Sequence, residues 1–305
     1  MLINIKRAGY KDMKETKFEI GLDGYTIYQA PNTTMTQMMS YLITTPNNKL
    51  IVIDGGLRED ADYLTKKIYE FGSVVSMWII THMHYDHYGA FVEILEKPNR
   101  NNIVIEKVCY NFPPAKWVNM AEPRFLEKNK ALYDFLPKLE SITQILKEND
   151  KYSIDGLIID ILKVPDDYED YYPPYGSGSP VNDTSIAFKM LFPNGKSALF
   201  LGDLGFMAGQ RLAEKYKEKL KSDIVQMAHH GQNGAGEDLY EFVKPTICMW
   251  TAPMWLYDNN IGLFDKNAVN KFDSHHFKTV IVRGWMDKLG VTMHAIEGEG
   301  LSIIK

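Results

Sequence analysis

The hydrophobic positions of this chain cluster in short continuous runs, and four of these runs end at residues that can bind a metal ion. Short continuous apolar runs suit strands that are buried on both faces, as in a sheet covered by helices. Because the ends of neighbouring strands meet at one edge of a sheet, we expect the four endings to converge there. The runs and their endings are 49–53 before Asp54-Gly55-Gly56, 77–81 before His82, 197–201 before Gly202-Asp203, and 223–228 before His229-His230-Gly231.

The segments between these runs have helical patterns. Pro123 and Pro137 interrupt the longest of them, which therefore predicts two or three helices and is interpreted as a helical insertion at about 115–150. The opening segment alternates apolar and polar residues, and Leu22-Asp23-Gly24-Tyr25 predicts a hairpin turn. We therefore expect an α/β (α+β) protein, a single four-layer domain over residues 1–305. The predicted helices are 59–71, 89–96, 116–147, 210–220, 237–243 and 267–273.

Composition narrows the class of protein without identifying a function. Hydrophobic residues make up 45% of the 305 residues and charged residues 24%, values typical of a globular protein with a substantial core. The net charge of -5 argues against a nucleic-acid partner. Cys109 and Cys248 cannot form a disulfide framework. The N-terminus resembles a first strand rather than a signal peptide, and no apolar run is long enough to span a membrane. A cytoplasmic location is therefore favoured. The composition does not indicate the oligomeric state.

The run His82-Met83-His84-Tyr85-Asp86-His87 concentrates metal ligands more densely than packing requires. In an extended segment, residues two apart point the same way, so His82 and His84 can hold one ion. A turn can then send Asp86 and His87 toward a neighbouring ion. A structural zinc site would recruit cysteine and close its coordination sphere, and both cysteines lie far from this run. The spacing therefore predicts a two-metal hydrolytic centre.

With Asp54-Gly55-Gly56, Gly202-Asp203 and His229 in the same order, this run resembles the motifs of the metallo-β-lactamase superfamily. The resemblance extends from about residue 42 to the C-terminus. It implies an αββα sandwich with the metal site at one edge of its two sheets. It also implies that His82 and His84 hold the first metal, that Asp86, His87 and His229 hold the second, and that Asp203 bridges the two. Asp86 and Asp203 are then the catalytic carboxylates, and Asp54 is a supporting residue behind the ligands.

One ligand expected from the family is missing, because the chain has no histidine between Tyr88 and Gln226. The segment Val181-Asn182-Asp183-Thr184-Ser185 takes its place. It resembles two branches of the family: the hydrolase domain of DNA-uptake competence channels and the phosphorylcholine esterases, which also carry His-His-Gly. In the esterase pattern Asn182 replaces the histidine, so Asn182 or Asp183 would ligate weakly through oxygen, or water would fill the gap. The first metal should then bind more loosely than the second.

The remaining histidines and aromatic residues have competing interpretations. His230 fits either a support or substrate contact or a packing role, whereas His294, His275 and His276 are assigned to the fold or surface. The loop 166–180 is rich in tyrosine, proline and acid, a composition typical of substrate-contacting loops. Rings near the motifs would suit a quaternary ammonium group, but such rings more often cover a core. These rings are Trp117, Tyr171, Tyr172, Tyr175, Trp255 and Tyr257.

These inferences predict a metal-dependent hydrolase, with two zinc ions and a metal-bound hydroxide as nucleophile. Manganese or iron also suits the ligands. The two branches named above favour a small-molecule ester substrate, most of all a phosphodiester or phosphorylcholine-like ester. A lactone or thioester hydrolase with a more apolar pocket is the first alternative. A non-catalytic metal-binding or ligand-binding module is the second, and a nuclease is weaker because of the acidic charge balance.

Overall fold

The computed structural model describes residues 14–97, 102–165, 179–260 and 277–305. The strands in these ranges are β1 Glu15–Phe18, β2 Thr26–Gln29, β3 Ser40–Thr44, β4 Leu50–Asp54, β5 Val74–Val75, β6 Met77–Ile79, β7 Val104–Ile105, β8 Val108–Tyr110, β9 Thr143–Ile145, β10 Lys151–Ile154, β11 Leu157–Lys163, β12 Ala187–Leu191, β13 Ser197–Phe200, β14 Ile224–Gln226, β15 Ile247–Trp250, β16 Met293–Ile296 and β17 Leu301–Ile304. The α-helices are α1 Ala61–Glu70, α2 Tyr85–Glu96, α3 Ala115–Ala121, α4 Leu126–Phe135, α5 Pro180–Asp183, α6 Phe206–Tyr216, α7 Glu237–Val243, α8 Met254–Tyr257 and α9 Thr279–Lys288.

Most of the strands form two large sheets. One has the order β1-β17-β2-β3-β4-β6-β8-β9 and the other β10-β11-β12-β13-β14-β15-β16, while β5 and β7 form a separate pair. The four apolar runs that end in metal-binding residues form β4, β6, β13 and β14, and all four strands are fully buried. β4 is parallel to β6, and β13 is parallel to β14. Parallel pairing places the ends of each pair at the same edge of its sheet.

The two sheets pack face to face through a continuous apolar core. Side chains from both contribute to one buried cluster, and the Tyr41 ring of β3 meets the Phe200 ring of β13 at 5.3 Å between centroids. A second cluster joins the outer faces of the sheets to the helices. This arrangement confirms the predicted four-layer αββα sandwich. None of the described helices is both long enough and apolar enough to cross a lipid bilayer.

The structure contains the turn predicted at Leu22–Tyr25, but the strands on either side of this turn do not form the predicted hairpin. Asp23 and Gly24 adopt positive φ, and the Tyr25 amide donates to the Leu22 carbonyl at 3.1 Å. Yet the strands on either side do not pair, because β17 lies between them, parallel to β1 and antiparallel to β2. The turn depends only on the residues within it, whereas strand pairing depends on burial. β17 is apolar and fully buried, and it occupies the position between β1 and β2.

Two helix predictions also differ from the structure. α2 begins at Tyr85, before the predicted Gly89, so Asp86 and His87 lie in its first turn. The region predicted as a helical insertion does contain two α-helices, α3 and α4, as its prolines indicated. It differs from the prediction because its last part forms β9, which joins the first sheet. The helix α9 lies in the chain between β15 and β16 of the second sheet and was not predicted. The predicted N-terminal strand, the predicted helix 267–273 and the pair His275 and His276 lie outside the described residues.

Candidate metal centre

The Asp54 carboxylate at the end of β4 organises the turn that follows β6. Its oxygens accept hydrogen bonds from the backbone amide of Thr81 at 2.7 Å and from the Thr81 hydroxyl at 2.8 Å. The same carboxylate accepts a hydrogen bond from Nδ1 of His87 at 2.7 Å. Asp54 thus holds both the turn and one histidine. It is completely buried and lies behind the cluster rather than in it.

Two groups of side chains come close enough to hold metal ions, and they share Asp203. Within each group, one ligand atom from every residue lies within 4.8 Å of the others. The first group is His82, His84 and Asp203, and the second group is Asp86, His87, Asp203 and His230. Asp203 Oδ2 lies 3.8 Å from His82 Nε2, and Asp203 Oδ1 lies 3.3 Å from His87 Nε2. The sequence motifs are therefore brought together around one carboxylate.

Three of these histidines are oriented in the same way. In each ring Nδ1 forms a hydrogen bond with the protein, and Nε2 remains available as a ligand. Nδ1 of His87 donates to Asp54, and Nδ1 of His230 donates to the carbonyl of Thr251 at 2.7 Å. Nδ1 of His82 lies 3.1 Å from the Thr81 hydroxyl, which gives its own proton to Asp54 and so accepts from the ring. The three Nε2 atoms and Asp203 Oδ1 are buried without a hydrogen-bond partner among the described residues. Buried atoms left in this way fit metal ligation, in which an outer partner fixes each ring.

The electrostatics of the second group favour bound positive charge. Burial alone would lower the pKa of His230, but the carboxylates of Asp203 and Asp86 outweigh it and raise the pKa to about 10. His87 likewise has a raised pKa, because Asp203 and Asp54 overcome the effect of its burial. Without a metal ion, the group holds positive charge as protons on these rings. His82 differs, since burial and the neighbouring imidazoles lower its pKa and leave Nε2 free as a neutral ligand.

His84 is oriented by Glu122, a residue that the sequence motifs did not reveal. His84 Nε2 lies 3.1 Å from Glu122 Oε2, so Nδ1 is the ring nitrogen left for a metal ion. The other oxygen of Glu122 accepts a hydrogen bond from the Ser179 hydroxyl. Burial would raise the pKa of Glu122, but these bonds and the nearby Arg124 lower it to about 2. Glu122 follows α3 and is far from the His82 run in sequence. Its contact with His84 becomes visible only when this region packs beside the run, because a single buried acidic residue has no sequence signature.

We expect Glu122→Ala to weaken metal binding at the first group by about 10- to 100-fold, the effect typical of removing an outer partner of a ligand. The second group should keep its affinity, because Glu122 contacts only His84 among the ligands. Chelator competition that resolves the two binding constants measures both. Glu122→Gln should recover part of the loss, since its amide oxygen can still accept from His84. Glu127→Ala, at an exposed position nearby, is the control. Equal weakening of both groups would contradict this role.

The order of His229 and His230 differs from the sequence assignment, because His230 occupies the place assigned to His229. His230 Nε2 lies 3.2 Å from Asp86 Oδ2 and 3.3 Å from Asp203 Oδ2, whereas His229 belongs to neither group. Both histidines have left-handed backbone, with φ of 50° and 56°. This turn sends the second ring inward. Gly231 continues it at φ 75°, where a Cβ atom would lie 2.3 Å from the Trp250 ring. Sequence spacing does not show which of two adjacent histidines such a turn buries.

Asn182 and Asp183 point to different places from the short helix α5. Asn182 lines the pocket, and its Nδ2 lies 3.1 Å from His229 Nε2. Its Oδ1 is buried without a hydrogen-bond partner in the described structure. The Asp183 carboxyl instead interacts with backbone amides of Gly205 and Ala208 at the start of α6. The geometry therefore brings Asn182, and not Asp183, to the metal centre.

A cavity of about 300 Å³ opens over the two groups. Apart from Phe125, its described lining is polar. Trp117, Trp255 and Tyr257 are largely buried in the apolar cluster and do not line this cavity, so they build no aromatic cage there. His294 accepts a hydrogen bond from Trp250 Nε1 on β15 and has a packing role. Residues 166–178, including Tyr171, Tyr172 and Tyr175, lie outside the described residues. The lining is Gln37, His84, Asp86, Arg124, Phe125, Ser179, Asn182, Asp203, His229, His230 and Asn233.

Comparisons with known proteins agree with this fold. A family model described as the metallo-beta-lactamase superfamily matches residues 34–177. The metallo-beta-lactamase fold protein YhfI from Bacillus subtilis has a similar structure, with a TM-score of 0.52 at 10% identity over 92% of this chain and 99% of YhfI. A point mutant of the CmlA β-hydroxylase, a Streptomyces venezuelae protein, has a TM-score of 0.51 at 11% identity over 92% of this chain and 54% of that chain. No curated protein gives a significant match. The family match, which covers just under half of the chain, and the similar solved structures show that this chain has the metallo-beta-lactamase fold.

Proposed function

We propose that this chain is a metal-dependent hydrolase with a two-metal centre. His82, His84 and Asp203 hold the first ion, with the amide oxygen of Asn182 as an additional weak ligand. The second ion is held by Asp86, His87, Asp203 and His230. The observation that carries this proposal is that two groups of buried, inward-pointing ligand atoms share the Asp203 carboxylate. Sharing of this kind fits a bridge between two neighbouring ions.

When bound, two divalent ions supply Lewis acidity and make a nucleophile available from water at neutral pH. The protein holds the reacting groups in place. Asp203 fixes the spacing of the two ligand groups, and Asp54 and Glu122 fix the rings of His87 and His84. Asp86 lines the cavity with a side chain that is 26% exposed, so its carboxylate is accessible to water or substrate there. We assign the catalytic roles to Asp86 and Asp203.

Zinc is our choice of metal, because imidazole and carboxylate ligands in this number suit it. Iron and manganese fit the same ligand types. The first ion should bind more loosely than the second, because the first group offers fewer charged or imidazole ligands. Metal analysis of the purified protein decides between these ions.

The polar cavity favours an ester with a charged group over a lactone or a thioester. A lactonase pocket needs apolar walls for its substrate, whereas Phe125 is the only apolar side chain among the described residues that line this cavity. We therefore favour a phosphodiester or a phosphorylcholine-like ester. The described lining offers no aromatic cage for the choline group, so the phosphodiester is the stronger candidate.

The test is hydrolysis by zinc-loaded protein of bis(4-nitrophenyl) phosphate, 4-nitrophenyl phosphorylcholine and a lactone. We expect turnover of the phosphodiester, its loss after chelation, and its return when zinc is restored. Preference for the lactone would support the alternative hydrolase. Metal binding without turnover of any substrate class would instead favour a non-catalytic binding module.

A further inference from the structure

Arg124 lies on the turn Pro123–Phe125, at the mouth of the metal cavity. Among the described residues that line this cavity, it is the only lysine or arginine. Its side chain is 67% exposed, so the guanidinium is accessible to a ligand entering from solvent. The two carboxylates of the lining, Asp86 and Asp203, belong to the metal-binding groups, and bound ions would neutralise them. Arg124 would then add to a positive field in the cavity.

Two contacts orient the guanidinium without using all of its donors. Arg124 Nη2 lies 3.4 Å from Glu122 Oε2, and its Cζ lies 4.7 Å from the centre of the Phe125 ring. Glu122 is in turn fixed by His84, so the guanidinium is held beside the first metal-binding group. A guanidinium has five N–H donors in a planar fork that matches phosphate or carboxylate oxygens. One carboxylate contact leaves several donors available.

The cavity lining includes a further donor that lacks a hydrogen-bond partner among the described residues. Gln37 lines the same cavity, and its Nε2 atom is buried without a hydrogen-bond partner in the described structure. A buried donor of this kind costs free energy unless a ligand or water satisfies it. The amide of Asn233 also lines the cavity. Several donors in one cavity fit a ligand that presents several acceptor oxygens.

We propose that Arg124 is a specificity-determining residue that binds an anionic group of the substrate, with Gln37 contributing a second hydrogen bond. The substrate class is an ester with a phosphate or phosphonate group whose free oxygens face Arg124 while the scissile bond faces the metal ions. This inference rests on the proposed hydrolase function and adds the charge of its substrate. It makes Arg124 responsible for binding and leaves the chemical step to the metal-binding groups.

The experiment compares zinc-loaded wild type with Arg124→Gln, Arg124→Lys and the control Lys130→Gln, which removes an exposed charge from α4 outside the cavity lining. Kinetics are measured with anionic bis(4-nitrophenyl) phosphate and neutral 4-nitrophenyl acetate. We expect Arg124→Gln to raise KM for the anionic ester by about tenfold with little change in kcat, since one charge-assisted contact at an exposed site is lost. Arg124→Lys should recover part of this loss, and the control should behave as wild type. The neutral ester should not distinguish the variants.

Calorimetric titration with inorganic phosphate separates failure of this inference from failure of the proposed function. If wild type hydrolyses neither ester but binds phosphate about tenfold more tightly than Arg124→Gln, the anion site stands and the hydrolase proposal fails. If wild type hydrolyses the phosphodiester and Arg124→Gln keeps its KM and its phosphate affinity, the anion site is wrong and the hydrolase stands. Absence of phosphate binding to wild type also overturns the anion site.

Discussion

Replacing Asp203 by alanine is expected to remove both metal ions from the protein and to lower kcat/KM for an ester substrate by about 1000-fold or more. Asp203 is the residue shared by the two groups, and it lies 3.3 Å from both His87 Nε2 and His230 Nε2. Its loss therefore weakens both sites at once. The chemistry supplied by bound ions is worth several kcal/mol of transition-state stabilisation, which corresponds to this decrease.

The measurement combines metal content by mass spectrometry with steady-state kinetics. Asp287→Ala is the matched control, because it removes an exposed aspartate of α9 and should leave the metal content and the kinetics unchanged. Circular dichroism separates loss of metal from loss of fold. A folded Asp203→Ala protein that retains two tightly bound ions and full activity would rule out the shared carboxylate.

Replacing His230 by alanine is expected to remove one metal ion and to lower activity by more than about 100-fold, above the usual effect of changing an outer partner. His230 Nε2 points at Asp86 and Asp203, and its Nδ1 is fixed by Thr251. His229→Ala is an adjacent control of the same chemistry. That variant should retain two ions and lose no more than about tenfold in activity, because His229 contacts Asn182 and belongs to neither group.

Metal titration followed by X-ray absorption at the zinc edge would measure the number of imidazole ligands in both variants. We expect one fewer imidazole per protein in His230→Ala than in wild type, and an unchanged number in His229→Ala. The reverse result would restore the assignment made from sequence, with His229 as the ligand of the second ion. Equal loss in both variants would indicate that the turn 229–231, rather than one ring, is what the centre requires.

Much of the candidate metal centre could be predicted from local sequence. The run from His82 to His87 has a density of ligands that packing does not explain, and continuous apolar runs predicted that β4, β6, β13 and β14 are buried on both faces. Since ligands at the ends of such strands share an edge, sequence also anticipated that Asp54 and Asp203 would lie near the histidines. These features depend on residues close together in the chain and on a simple rule of strand geometry.

The same reasoning could not place contacts that depend on long-range packing. Glu122 reaches His84 because the region around α3 packs beside the metal centre, and no local pattern distinguishes this acid from other acidic residues. Similarly, the turn at Asp23 and Gly24 is correct, but its strands are separated by β17 from the other end of the chain. Local turn preference fixes φ and ψ, whereas strand partners are chosen by burial of apolar faces.

The run from His82 to His87 therefore predicts metal-dependent chemistry without any knowledge of the fold, because the identity and spacing of His82, His84, Asp86 and His87 favour metal ions wherever a strand ends there. The folded structure shows which side chains complete the candidate centre. It selected His230 over His229 through two consecutive left-handed residues, and it placed Asn182 at the cavity and Asp183 at the start of α6. Neighbouring residues of similar chemistry differ in the direction of their side chains, and that direction is set by backbone conformation and by the elements packed against it.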